Sequence, residues 1–166
     1  LTDATATNAI LQNANLTNAT LTRVNFAGLN LDRVRLVGAD LTAAVLTRAD
    51  LTNANRTNAN LTNANVTDAN LKNVTLTGAN LTNANLTNAN LIDANLTNAN
   101  AERANFTAAN LTGANLITTK LTDAVWNDTK CPRGGKSSSG CSAFAIAPEG
   151  YEYKAGGPQW YEFRST

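Results

Sequence analysis

Catalysis needs groups that move protons, hold metals or attack electrophiles, and this chain is thin in all three. It has no histidine, which removes the commonest general base and the commonest metal ligand together. Neither a Ser-His nor a Cys-His pair can therefore form, and no GxGxxG or Walker stretch appears. Its two cysteines, Cys131 and Cys141, read as one disulfide in an exported chain and as two free thiols in a cytosolic one. Nothing stronger than these two is available to ligate a metal. The expectation is a protein that is not an enzyme, with no catalytic residue, cofactor, metal or evident small-molecule substrate.

The charge balance points the same way. Lys plus Arg is 13 and Asp plus Glu is 12, so no global field recruits nucleic acid or an anionic membrane. No apolar run approaches the roughly 18 residues of a spanning helix, so no membrane insertion is expected. The sequence starts at Leu1, already inside a repeat and without Met or a leader, as after trimming or removal of a signal peptide. Together with the cysteine pair this favours a secreted, extracellular protein, with the periplasm or another oxidising lumen as the alternative.

What must position every side chain is a repeat of five. Leu81 to Asn100 reads LTNAN LTNAN LIDAN LTNAN, and from Leu1 to Lys130 the same phase runs unbroken through 26 units. Each unit has a large apolar centre, usually Leu, then Thr, a polar residue, Ala and Asn. Period five winds a Leu stripe around a helix, and on one long strand it flips the stripe between faces at every unit. A coil that turns a corner every five residues keeps the centre and the Ala inward throughout. Such internal periodicity dictates the architecture.

Ala84-Asn85-Leu86-Thr87-Asn88 matches position by position the motif of the pentapeptide-repeat family, which the chain resembles from Leu1 to Lys130. The resemblance implies an all-β fold, a right-handed quadrilateral β-helix with four units per 20-residue coil. Residues 1–130 then form a solenoid of about 6.5 coils, roughly 30 Å long at the usual strand spacing, and residues 131–166 a C-terminal cap or association segment. One interior column is expected to run Ala6, Phe26, Leu46, Val66, Leu86, Phe106, Trp126, with large residues set beside small ones such as Ala101. Asn65, Asn85 and Asn105, and likewise Asn80 and Asn100, are expected to stack one coil apart and to hydrogen-bond along the column and to the corners.

Several positions stand out against this lattice. Arg56 takes a Leu position; because a buried, unpaired guanidinium is very costly, a bulged strand that lets it reach solvent is expected. Asp40 and Asp50 are expected on neighbouring corners of one coil, as are Asp123 and Asp128, all as solvated surface acids. The Asn-x-Thr triplets follow from the repeat and say little about glycosylation. Thr2, Thr22, Thr42, Thr62 and Thr82 form one outward rank, and Thr47, Thr67, Thr87 and Thr107 another.

After Lys130 the periodicity stops. Val125 to Pro132 resembles the Trp…Cys-Pro terminator of exported bacterial pentapeptide-repeat proteins, with Arg133-Gly134 where those usually carry Asp-Gly. A disulfide loop from Cys131 to Cys141 is followed by Tyr151-Glu152-Tyr153 and Trp160-Tyr161-Glu162-Phe163, which alternate like a short β-hairpin cap. The favoured function is a non-catalytic structural or surface protein that self-associates head to tail, into filaments, through uncapped coil ends. Leu1, Tyr151, Tyr153, Trp160, Tyr161 and Phe163 are the candidate association residues. The alternatives are an ice- or surface-binding protein using the Thr ranks, and a DNA mimic that binds topoisomerases. The last needs an acidic stripe, whereas residues 1–130 hold 9 basic and 9 acidic side chains.

Overall fold

The computed structural model describes residues 2–6, 8–132, 136–137, 141, 151–153 and 160–162. Leu1 and Phe163, both candidate association residues, lie outside that set.

Every five-residue unit is one tight turn. The N–H of the small residue donates to the C=O of the centre three positions earlier, as from Ala89 to Leu86 at 3.0 Å. The third turn residue has positive φ in every unit from Asp3 to Asp128, between 54° and 71°, which is the signature of a type II turn. Asn, Asp or Gly fill 19 of those 26 positions, and these are the residues for which left-handed backbone costs least.

Between turns, the residue just before a centre forms a parallel bridge to the residue 20 positions on, from Asn15 to Asn110 without a gap, as in Asn65 to Asn85, Asn85 to Asn105 and Asn60 to Asn80; Ile10 has no bridge. Four units therefore close one square coil, and the solenoid is a β-helix whose strands are single bridged residues. One unit shows the logic. Leu86 N–H donates to Asn105 C=O (2.7 Å) and Asn88 N–H to Thr107 C=O (2.9 Å), both in the next coil, while Asn90 N–H donates back to Ala69 C=O (3.0 Å). With the turn bond from Ala89, four of the five amides have backbone acceptors. The fifth, Thr87 N–H, donates to the Asn85 side-chain Oδ1 at 3.1 Å. The repeating Asn thus serves the one amide that the coil cannot satisfy, as buried backbone requires.

Centres and small residues fill the interior. All centres from Leu21 to Leu116 are buried, while Leu11 and Leu16 in the first coil are half-buried. The aromatic column forms as the spacing predicts: Phe26, Phe106 and Trp126 are buried, and Phe106 and Trp126 stack with centroids 4.8 Å apart and planes 13° from parallel. Where Thr119 and Thr129 replace Ala, each hydroxyl donates to a backbone carbonyl of the coil before, Leu96 (2.8 Å) and Phe106 (2.7 Å).

The coil register continues past residue 130. Gly113 N–H donates to Pro132 C=O (2.8 Å), and Cys131 is buried at the next centre of the column that holds Leu91 and Leu111. Pro suits the second position of a type II turn and carries no N–H for the missing Asn to serve. Cys131 is bonded to Cys141 (S–S 2.07 Å), so a disulfide terminates that interior column. Strand β1 (Thr129–Lys130) pairs antiparallel with β2 (Lys136–Ser137), and β3 (Tyr151–Tyr153) pairs antiparallel with β4 (Trp160–Glu162) in the register Tyr151 to Glu162, Tyr153 to Trp160. The two arms expected to form a hairpin therefore pair over Tyr151–Tyr153 and Trp160–Glu162; Phe163 lies outside the described residues.

Candidate functional site

The groups singled out in the sequence lie at distinct levels of the coil. Asp40 and Asp50 belong to different bridge columns, Thr20–Asp40–Asn60 and Asn30–Asp50–Asn70. Ten residues is half a coil, so they occupy opposite corners; the expectation of neighbouring corners was off by one side of the square. Among the described residues no cluster of three or more His, Cys, Asp or Glu could hold a metal.

Asp40 is nevertheless a hub. Its Oδ1 accepts from the Thr42 hydroxyl (2.6 Å), the Thr42 N–H (3.0 Å) and Asn60 Nδ2 (3.3 Å), and its Oδ2 accepts from the Thr22 hydroxyl (3.1 Å). The Thr42 hydroxyl, followed by the Thr42 amide, pulls its carboxyl below the usual carboxylate range. Asp50 sits at an equivalent corner, accepting from Thr52 and Asn70. At the surface, Arg23 Nε and Nη2 clamp the two carboxylate oxygens of Asp3 at 2.5 and 2.7 Å; the bond from Arg23 lowers the Asp3 carboxyl and the same bond raises the guanidinium.

The two Thr ranks do line up, on adjacent corners. Six of their nine hydroxyls, however, donate within the protein. Thr62, Thr82 and Thr87 donate to Asn60, Asn80 and Asn85 Oδ1 at 2.6 Å, and Thr67 donates to Asn65 at 2.7 Å. Thr107 uses its backbone N–H on Asn105 Oδ1 (2.9 Å), Thr47 follows Val45 and so has no Asn ahead of it, and Thr2 is exposed. Where the hydroxyl is engaged in this way, the face presents the methyl and the hydroxyl lone pairs. Glu102 then breaks the first rank.

Asn65, Asn85 and Asn105, and Asn80 and Asn100, stack through backbone bridges and accept at their own corners. Contrary to expectation, no side-chain bond runs from one of these described residues to the next. Side-chain ladders form at other residues, on two kinds of position. Asn90 Nδ2 donates to Asn70 Oδ1 (3.1 Å) beside the bridges, and Asn83 to Asn63 (3.0 Å) and Asn88 to Asp68 (3.0 Å) run along the turn positions. The second set was not anticipated, although the Asn/Asp/Gly bias at the third residue of each turn was there to be read.

Arg56 corrects the sequence reading outright. No bulge forms: Arg56 N–H donates to Thr75 C=O (2.8 Å) and its C=O accepts from Ala59 (3.0 Å), as in any regular unit. The side chain is fully buried, and Nε and Nη2 have no hydrogen-bond partner. Burial alone pulls the guanidinium down to about 9, which leaves it charged at neutral pH. The ladder bonds on both sides hold the strand in line more firmly than the desolvated charge can push it out.

Exposed large hydrophobic side chains are restricted in place. Ile10 lies in the first coil, and Ile117 and Val125 in the last; no other large apolar side chain among the described residues is exposed. Tyr151, Tyr153, Trp160 and Tyr161 sit in β3 and β4, whose backbone pairing is all that is described of them. Arg103, absent from the candidate set, extends a turn column by donating from Nε to Asn83 Oδ1 (2.8 Å).

A sequence profile described as "Pentapeptide repeat region" matches residues 9–86, and one described as "Pentapeptide repeats (8 copies)" matches residues 89–125. Rfr23, a pentapeptide repeat protein from the cyanobacterium Cyanothece 51142, is 32% identical over 68% of this chain and 83% of its own, with a TM-score of 0.35. A trypsin-treated variant of QnrB1, a plasmid-mediated fluoroquinolone resistance protein, superimposes with a TM-score of 0.62 at 17% identity, over 77% of this chain and 67% of its own. HetL, involved in heterocyst differentiation regulation in Nostoc sp. strain PCC 7120, is 25% identical over 82% of this chain and 89% of its own, with a TM-score of 0.30. No curated protein matches the sequence.

Proposed function

The chain belongs to the pentapeptide-repeat family, and from that premise we propose that it is an exported, non-catalytic structural protein whose right-handed coils associate end to end. The carrying observation is where its apolar surface lies: Ile10, Ile117 and Val125 are exposed in the two end coils, and no other large apolar side chain among the described residues is exposed. Unpaired strand edges flanked by apolar side chains recruit further strands. At the C-terminal side of the last coil, β1 is paired by β2, and Val125 is exposed at its corner. A second copy continuing the 20-residue ladder fits that edge, and a heterologous contact that does not close yields a filament. The aromatic hairpin is the segment to clamp such a joint. Export is supported by the Cys131–Cys141 disulfide.

Negative-stain microscopy of purified protein tests this. Rods longer than one molecule are expected, shortened by Val125→Lys, which places a charge on the edge. Strictly monomeric particles at high concentration would refute end-to-end association. The other two readings have less support, because six of the nine Thr hydroxyls donate within the protein and the charges of residues 1–130 balance. Thermal hysteresis and gyrase supercoiling assays are expected to be negative.

A further inference from the structure

Arg56 sits in the middle of the solenoid with two buried nitrogens, Nε and Nη2, that have no hydrogen-bond partner among the described residues. The carbonyls of its own strand, Asn55, Arg56 and Thr57, accept from Leu36, Ala59 and Gly38 and make no bond to its side chain. The acids nearest in sequence, Asp40, Asp50 and Asp68, occupy outward positions and are held there by Thr42, Asn60, Thr52, Asn70 and Asn88. The side chain is itself fully enclosed, so it cannot meet solvent without unzipping its coil.

The identity of the two unanswered atoms is informative. They are Nε and Nη2, the same pair with which Arg23 grips both oxygens of Asp3. Those two N–H bonds lie side by side and together address one anionic group. The far wall carries a shorter residue than its column neighbours. Ten residues is half a coil, so Val66 faces Arg56 across the interior. Val66 is one methylene shorter than Leu46 and Leu86, which stand one coil away on either side in its column. The inward residues on either side of Arg56, Ala54 and Ala59, are small and buried. The difference is one methylene, so a ligand fitting here is about the size of a water molecule and not an organic acid.

We propose that Arg56 is an interior anion site, in which its Nε and Nη2 hold a single small monovalent anion of the chloride class. The anion supplies the countercharge that every enclosed guanidinium requires and links the stability of the central coils to the halide around the protein. Because the ligand binds only the folded coil, mass action makes the unfolding temperature rise with its concentration.

The full chain is melted in sodium chloride and in sodium gluconate at equal ionic strength, gluconate being too bulky to enter. Chloride is expected to raise the unfolding midpoint of the wild type by about 2–4 °C or more, and to leave Arg56→Leu unmoved. That variant restores the residue found at 19 of the 26 centres, so its folding is secure. Equal chloride responses in the two proteins overturn the proposal. Crystals grown in bromide give an independent reading: an anomalous peak within hydrogen-bond distance of both Arg56 nitrogens is expected, and its absence there overturns the assignment. Rapid amide exchange confined to residues 51–61 in chloride would also overturn it, because the guanidinium would then be served by opening of the coil.

Discussion

At the scale of single residues, the Asn before each centre works by serving the amide two positions later. Asn85→Ala removes the acceptor of both the Thr87 N–H and the Thr87 hydroxyl, and should cost about 1–3 kcal/mol in chemical denaturation. Val45 leaves the corresponding amide of Thr47 without that oxygen, so Val45→Asn should stabilise by up to about 1 kcal/mol. Turn positions respond differently. Gly28→Ala meets no atom within 4 Å and pays only for its φ of 68°, about 1 kcal/mol. Gly38→Ala has a similar φ and also places Cβ on the Asn18 Oδ1, so it should lose measurably more. Asp40 sets an acid limit. Its folded carboxyl titrates below the unfolded one, so its contribution is complete above the unfolded carboxylate range near about 4. That contribution is lost as pH falls through the folded value. Asp40→Asn should flatten the acid limb of the stability-pH curve, read by denaturant melts at successive pH values.

At the scale of the unit and the coil, what was legible in the sequence was whatever depends on spacing alone. The phase of five placed the inward column from Phe26 to Trp126, the Asn bridges and the Thr ranks, because no insertion disturbs the register. The third turn residue escaped notice because Asn, Asp, Gly and Arg look alike when sorted only as polar, and their shared tolerance of positive φ is a backbone property. Arg56 was misjudged for a related reason. Residue type alone shows the cost of burying a guanidinium but not the ladder bonds on both sides that a bulge would break. Closure of β2 onto β1 was also hidden, since that pairing follows no repeat. If the coil is the structural quantum, removing residues 81–100 as a block should leave a cooperatively folded, shorter solenoid with a lower midpoint. Deleting Asn88 alone should be far more damaging, because it shifts all later centres by one residue. Circular dichroism melts of the two deletions distinguish these outcomes.

At the scale of the whole molecule, the Cys131–Cys141 bond closes one interior column, where a reductant is expected to loosen the last coil first. Loss of such a bond typically costs about 2–4 kcal/mol, and hydrogen exchange should locate the effect in residues 116–130 while the central coils stay protected. The ladder also has a direction. In each unit two amides, such as those of Leu86 and Asn88, donate toward the C-terminal coil, whereas one, such as that of Asn90, donates backward. One peptide dipole per unit, about 3.5 D, is therefore uncancelled and points the same way in every unit along the axis. The rod is electrically polar, with its positive pole at the C-terminal end, opposite in sense to an α-helix. Transient electric birefringence should detect that moment. Two such rods meeting end to end align their poles, and two lying side by side prefer to oppose them.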